Sequence, residues 1–419
     1  MSLTLIPTTN WAGNLSYAAT EVHRPRSLDE LRRTVARSTR IRALGSGHSF
    51  SGVADTTGEL VLLDRLPPTV DVTPATSTVT VSSATRYGDL AAALHRKGFA
   101  LANLASLPHI SVGGSVATAT HGSGDGLRCL AASVAGLELV GPEGDLVELR
   151  RDTDPDTFDG SVVALGALGV VTRLTLDIEP SYEMTQRVRL DVPLDEVAAR
   201  PDDVFGAAYS VSVFTDWRGG TADVWLKARS DRPGSGWNGG RAAPHPVHAV
   251  PGVSPESSTQ QMGVSGPWHE RLPHFRPELT PGAGEELQSE YYVPRTAAPA
   301  AFAALRGIGD LVAPVLHIAE VRTVRGDGLW LSPGHGRDSV TFHFTWIKDP
   351  VAVEPVVAAV EEVLMPLGAR PHWAKLTAAS AAEIVSRYER APEFGQLLQK
   401  FDPAGKFRNA FVDGLFPAW

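Results

Sequence analysis

The run Arg42-Ala43-Leu44-Gly45-Ser46-Gly47-His48-Ser49-Phe50 sets a histidine in a glycine-serine turn directly after a short apolar strand over 40–44. Two glycines two positions apart let a backbone approach a bulky charged ligand, and such a turn can aim its N–H groups at an anion. The imidazole of His48 places a nucleophilic nitrogen beside that ligand. A nicotinamide-dinucleotide fingerprint would carry a third glycine three positions after Gly47. Position 50 is Phe, which argues against that cofactor.

Two further glycine clusters lie in the same 180-residue segment. From Leu104 to Gly126 the chain is rich in Gly, Ser and Thr yet too apolar and β-branched for a flexible linker. It reads as ordered backbone wrapped around something. Gly166 and Gly169 stand three apart before a strand over 173–178. Taken singly, Gly45-x-Gly47, Gly113-Gly114 and Gly166-x-x-Gly169 are ordinary turns. Together they suit an extended ligand carrying a pyrophosphate, held by backbone N–H groups rather than by basic side chains.

A second set of polar residues recurs with period 2. Glu320 and Arg322 fall on one face of a strand over 318–324. His343 and Thr345 share a face of 341–346, with Phe342, Phe344 and Trp346 on the other. The segment 370–375 puts Trp373 and Lys375 together. If these strands are antiparallel neighbours, one sheet face collects acceptors, donors and an imidazole, a mixture suited to a ligand covered in hydroxyls. The same pattern also fits a sheet with one wet face and cross-strand ion pairs.

The elements that must position these groups are short. Ser27 and Glu30 form a capping box for a helix over 27–37, and 87–97 reads as a helix ended by Gly98. Strands are expected over 60–63, 78–81 and 134–140, the last paired with 146–149 across a Gly141–Gly144 turn. Further helices are expected over 297–305, 353–364 and 378–387. This is an α+β pattern, with a boundary at Pro180. Asp231–Gly284 reads as long loops rather than a packed unit. His245, His248, His269 and His274 lie there with no metal-ligand spacing and read as solvated histidines, so no metal is expected.

Composition narrows the class. The chain has 419 residues, enough for two domains, with 43% hydrophobic and 20% charged residues. A net charge of −9 argues against a nucleic acid or an anionic membrane as partner. The single cysteine, Cys129, excludes an intramolecular disulfide and a cysteine-based zinc site; it reads as an inert buried residue. No secretory leader is expected in Met1–Asn14 and no run long enough to span a membrane occurs, so the expectation is a cytoplasmic protein.

Gly45-Ser46-Gly47-His48-Ser49 resembles the flavin-attachment loop of vanillyl-alcohol-oxidase-like FAD flavoproteins. The stretch Ala105 to Gly122 resembles that family's second FAD-wrapping loop. Within the family the likeness is to the bacterial alditol oxidases, and it runs nearly end to end. It includes Asn10-Trp11-Ala12-Gly13-Asn14, Phe214-Thr215-Asp216-Trp217-Arg218, Pro267 to Phe275 and Asp402 to Phe407.

The resemblance implies a two-domain fold: an FAD domain from 1–180, a substrate domain over 181–375 built on an antiparallel sheet, and a tail, 376–419, that returns to the FAD domain. It implies FAD bound by Leu44, Gly45, Ser46, Gly47, His48, Ser49 and Phe50. From the second loop it adds Ala105, Ser106, Ser111, Gly113, Gly114, Thr118, Ala119, Thr120, His121 and Gly122, with Val170 and His372 from elsewhere. His48 would carry the flavin through a single bond to its 8α-methyl carbon.

The activity implied is oxidation of the primary C1 hydroxyl of a linear polyol such as xylitol or sorbitol. Hydride goes to flavin N5 and O2 is reduced to H2O2, with the protein acting as a monomer. Ser106, Glu320, Arg322, His343, Thr345 and Lys375 would hold the substrate. Lys375, Arg322 or His343 would stabilise the developing alkoxide, a neutral Lys or His would accept the proton, and Ala105 would leave room for O2. A sugar-lactone oxidase or dehydrogenase of the same superfamily is the nearest alternative.

Overall fold

The computed structural model describes residues 8–278 and 285–417. Met1–Pro7 of the leader reading, 279–284 of the loop reading and the last two residues of the tail lie outside them. Strands β1 (Glu21–His23), β2 (Ile41–Ala43) and β3 (Glu59–Val61) form a small parallel sheet in the order β1-β3-β2. Beside it lies a five-stranded antiparallel sheet, β4 (Val70–Thr73), β5 (Thr78–Ser82), β6 (Val134–Val140), β7 (Leu146–Arg150) and β8 (Val170–Asp177), ordered β4-β5-β8-β6-β7. The helix α1 (Leu28–Arg37) begins at the expected cap, where the Ser27 side chain accepts from Glu30 N–H at 3.2 Å. A second helix, α2, spans Tyr87–Arg96.

The tail is bound into this part of the chain. Arg42, buried on β2, donates to the carbonyl of Phe407 at 2.6 Å and to those of Leu165, Gly166 and Val53. Asn409 donates to Gly52, Val53 and Asp55 carbonyls. Lys406 reaches the carbonyls of Val35 and Ala36. A buried cation that meets only carbonyls must be matched at nearly every N–H, so these contacts fix three distant segments together.

The third sheet is the large one, nine-stranded and antiparallel. Its long strands are β9 (Glu183–Pro193), β10 (Ser210–Thr215), β11 (Thr221–Arg229), β12 (Leu287–Pro294), β13 (Leu316–Val324) and β14 (Ser339–Trp346). The order is β9-β11-β10-β13-β14-β12, flanked by the two-residue strands Arg241–Ala242 and Arg370–Pro371. One face is apolar: Val213, Tyr291, Val321, Phe342 and Phe344 share a core with the helices Ala298–Gly307 and Pro350–Leu364. Phe344 and Trp346 stack at 4.9 Å on that side. The opposite face carries the polar period-2 residues, as their alternation requires.

Three expectations need correction. The segment 370–375 is not a strand throughout: the strand covers only Arg370–Pro371, His372 N–H still donates to the Glu290 carbonyl at 2.9 Å, and the chain then turns, with Lys375 N–H donating to the His372 carbonyl at 3.0 Å. Trp373 therefore leaves the Lys375 face, donates to the Leu331 carbonyl and stacks on Tyr388 at 4.8 Å. The helix expected over 378–387 is only Ala381–Val385, starting after the Ser380 cap. The described part of Asp231–Gly284 holds two-residue strands and two three-residue 3-10 turns, yet Trp268, Leu272 and His274 are buried, so its far end is packed. Among the described residues no single helix is long and apolar enough to cross a membrane.

Candidate functional site

A cavity of about 540 Å³ lies between the glycine loops and the polar face of the large sheet. The whole run 44–50 borders it, as do Ala105, Ser106, Gly114, Thr118, Thr120 and His121. Five of the expected cofactor residues do not border it. Val170 packs in a small core beside Ile41, and Ala119 is buried with a left-handed φ of 56°. A Cβ on Gly113 would stand 2.8 Å from Ser83 Cβ, and one on Gly122 would stand 2.3 Å from the Leu104 carbonyl, so both glycines serve close backbone packing. Ser111 lies beneath the loop.

The loop over 45–49 is built to receive a ligand. Gly47 takes a φ of +70°, a conformation that favours glycine. Among the described residues no backbone carbonyl accepts from the N–H groups of Gly45–Ser49. A Cβ on Gly45 would stand 2.4 Å from Ser111 Oγ, and one on Gly114 would stand 2.9 Å from it. Ser111 Oγ is buried and has no partner among the described residues. Unengaged N–H groups along the cavity wall fit the phosphate-bearing middle of a dinucleotide, so these residues suit FAD.

His48 stands at the end of that loop. Its ring stacks on Trp11 at 5.2 Å, and Nδ1 lies 3.0 Å from the Ser46 carbonyl oxygen. Burial lowers its pKa to about 4, with the nearby Lys375 charge adding to the effect. The ring is therefore neutral at pH 7 and keeps one nucleophilic lone pair.

The opposite wall is a register row. Glu320 on β13 pairs with His343 on β14, which pairs with Glu290 on β12; Thr345 pairs with Gln288 in the next row. Arg322 Nη2 donates to Glu290 Oε1 at 2.6 Å, and its Nε lies 3.6 Å from Glu320 Oε2. Arg322 Nη1 reaches Ser106 Oγ at 3.4 Å, joining the sheet to the second loop. His121 faces Glu290 Oε1 at 2.9 Å through Nε2 and the Gly122 carbonyl at 2.7 Å through Nδ1. Burial would raise both carboxyls, but the Arg322 guanidinium and the neighbouring histidines outweigh it and hold them below the ordinary carboxylate range.

Two groups are poised for proton chemistry. Both ring nitrogens of His343 are buried without a partner among the described residues, and burial takes its pKa to about 3. Lys375 donates to Gln288 Oε1, and burial lowers it to about 8. His372 is also buried at the cavity wall, and its Nδ1 accepts from Ala374 N–H at 3.1 Å.

Ser106, Glu320, Arg322, His343, Thr345 and Lys375 thus border one cavity. Sequence reasoning missed Glu290 and Gln288, although the alternation Gln288-x-Glu290 between apolar residues is the same signal that marked Glu320 and Arg322. It also read His274 as solvated. His274 is 5% exposed, borders the cavity, and its Nε2 lies 2.7 Å from Glu320 Oε1.

A family model described as FAD binding domain matches residues 19–150, and one described as D-arabinono-1,4-lactone oxidase matches 285–415. A cholesterol oxidase from B. sterolicum superposes with a TM-score of 0.74 at 14% identity, covering 98% of this chain and 96% of that one. Fold and loop together define an FAD flavoprotein of the vanillyl-alcohol-oxidase type. An L-gulono-1,4-lactone dehydrogenase from Mycobacterium tuberculosis (strain ATCC 25618 / H37Rv) is 28% identical over 96% of this chain and 97% of its own. An alditol oxidase from Streptomyces sp. is 50% identical over 97% of this chain and 98% of its own, and the chain belongs to the alditol oxidase family.

Proposed function

We propose that this protein is an FAD-dependent oxidase that converts the primary C1 hydroxyl of a linear polyol, such as xylitol or sorbitol, to the aldehyde. O2 is reduced to H2O2. The observation that carries the reading is the buried row Glu320, His343, Glu290 with Arg322 and Ser106, which supplies acceptors and donors in alternation. Residues 1–180 with 376–419 form the FAD-binding unit and 181–375 the polyol-binding unit.

FAD held by 44–50 and the second loop would supply the two-electron oxidant and pass the electrons to O2. The protein positions the substrate. Ionised Glu320 accepts from a polyol hydroxyl, Arg322 donates to another, and Ser106 and Thr345 do either. Neutral His343, with no competing partner, takes the C1 hydroxyl proton. The Lys375 ammonium, directed by Gln288, stabilises the negative charge that develops on that oxygen. His48, neutral and at the end of the loop, would tether the flavin through the 8α-methyl carbon.

Anaerobic xylitol should bleach the yellow protein, and air should restore the colour with release of H2O2. Butanol should be turned over about a thousandfold less efficiently, because it leaves the cavity's polar groups unpaired. Butanol equal to xylitol, or turnover of gulonolactone without any of xylitol, would overturn the reading.

The pH profile checks the assigned protonation states. His343 is already neutral above about pH 4, so kcat/KM should show no rise from it between pH 5 and 7. It should fall as Lys375 loses its proton near pH 8. Lys375→Met should lower kcat/KM about a hundredfold and abolish the falling limb. A limb that survives in this variant would show that another group titrates there.

A further inference from the structure

Lys227 lies outside the cavity, yet no other lysine in the described residues is buried so completely, at 1% exposure. It sits on β11, and its Nζ donates to the Leu272 carbonyl, to the Pro273 carbonyl at 3.0 Å, and to His274 Nδ1 at 3.0 Å. Burial lowers the Lys227 pKa to about 7, so below neutral pH it is an ammonium with three N–H groups and no acceptor, and all three are matched. His274 Nδ1 must then be the lone-pair nitrogen, and Nε2 carries the hydrogen that points at Glu320 Oε1, 2.7 Å away. Phe214 and Trp225 flank the ring at 5.5 and 5.3 Å and keep it from turning. The charged groups facing His274 are Lys227 from β11 and Glu320 and Arg322 from β13, and none of them offers Nδ1 another donor.

We propose that Lys227 is a positioning residue: it fixes the His274 tautomer, so that His274 engages Oε1 of Glu320 and leaves Oε2 presented to a substrate hydroxyl. Burying a cation with no carboxylate in contact is costly, and a purely structural position would be filled more stably by an apolar side chain. Burial and the Lys227 charge both oppose protonation of His274, whose pKa is lowered to about 4. The neutral ring thus donates to Glu320 at 2.7 Å, with the Ser212 hydroxyl farther from the same Nε2 at 3.3 Å. The inference rests on the polyol-oxidase reading for its kinetic consequence alone.

The test uses the purified holoenzyme with 15N-labelled histidine, the His274 signals being assigned by their loss in His274→Gln. In the wild type His274 should show an unprotonated Nδ1 and a protonated Nε2, unchanged from pH 5 to pH 6, where Lys227 keeps its charge. In Lys227→Met, which keeps the volume and removes the donors, His274 should titrate within that range. KM for xylitol should rise about tenfold while kcat stays within about threefold. A protonated Nδ1 in the wild type overturns the proposal, and this measurement stands even if Lys227→Met fails to fold. An unmoved His274 signal with wild-type KM in that variant overturns it as well. A wild type inert towards all polyols would defeat the oxidase reading, while the tautomer would still decide the role of Lys227.

Discussion

Replacing Arg322 by methionine should lower kcat/KM for xylitol by about three orders of magnitude and destabilise the protein by about 3–5 kcal/mol at neutral pH. Arg322 is the guanidinium that Glu290 and Glu320 share. Methionine fills much of its volume and leaves two buried carboxylates facing a cavity wall with less positive charge. The pH dependence separates this cause from simple loss of packing. In the wild type both carboxyls are held below their unfolded values, so their contribution is complete above those values and fades only as pH falls. In the variant, burial without the guanidinium raises them, so the folded state is penalised increasingly as pH rises through the new values. The gap in Tm between the two proteins should therefore widen from about pH 5 to about pH 8. A constant gap would mean that the loss is one of shape.

His48→Ala should remove all acid-stable flavin. After precipitation in acid the wild-type pellet should stay yellow, and the peptide containing His48 should carry the added mass of FAD. The variant pellet should be colourless. Its polar wall should remain intact, because Glu320, Arg322 and His343 depend on the large sheet and make no contact with His48 beyond the shared cavity. The native variant should therefore still bind added FAD through the unengaged N–H groups of 45–49. Yellow colour in the acid pellet of the variant would overturn the tether assignment.

The strands that carry Glu320, Arg322, His343 and Thr345 were legible because period-2 alternation survives wherever one sheet face is apolar and the other is polar. Glu290 obeys the same rule and was within reach. His274 was not, since nothing local marks it: it becomes a site residue only because Trp268 and Leu272 anchor the end of a long loop against the FAD-binding part. Trp373 leaves the expected face because alternation does not survive the turn that Lys375 N–H closes onto the His372 carbonyl. The glycine loops announced a ligand by type and spacing. Which of their glycines face the ligand and which serve backbone packing, as Gly113 and Gly122 do, depends on neighbours distant in sequence.

The hold of Arg42 on Phe407, and of Asn409 on Gly52, Val53 and Asp55, has a consequence in time. The residues that brace the loop bearing His48 leave the ribosome long after it does, Asn409 coming 357 positions after Gly52. Synthesis proceeds from the N-terminus, so this loop waits, unbraced, until that later stretch has been made. The proposed coupling of flavin to His48 would thereby follow the synthesis of that stretch, and a nascent chain halted before Phe407 would remain uncoupled.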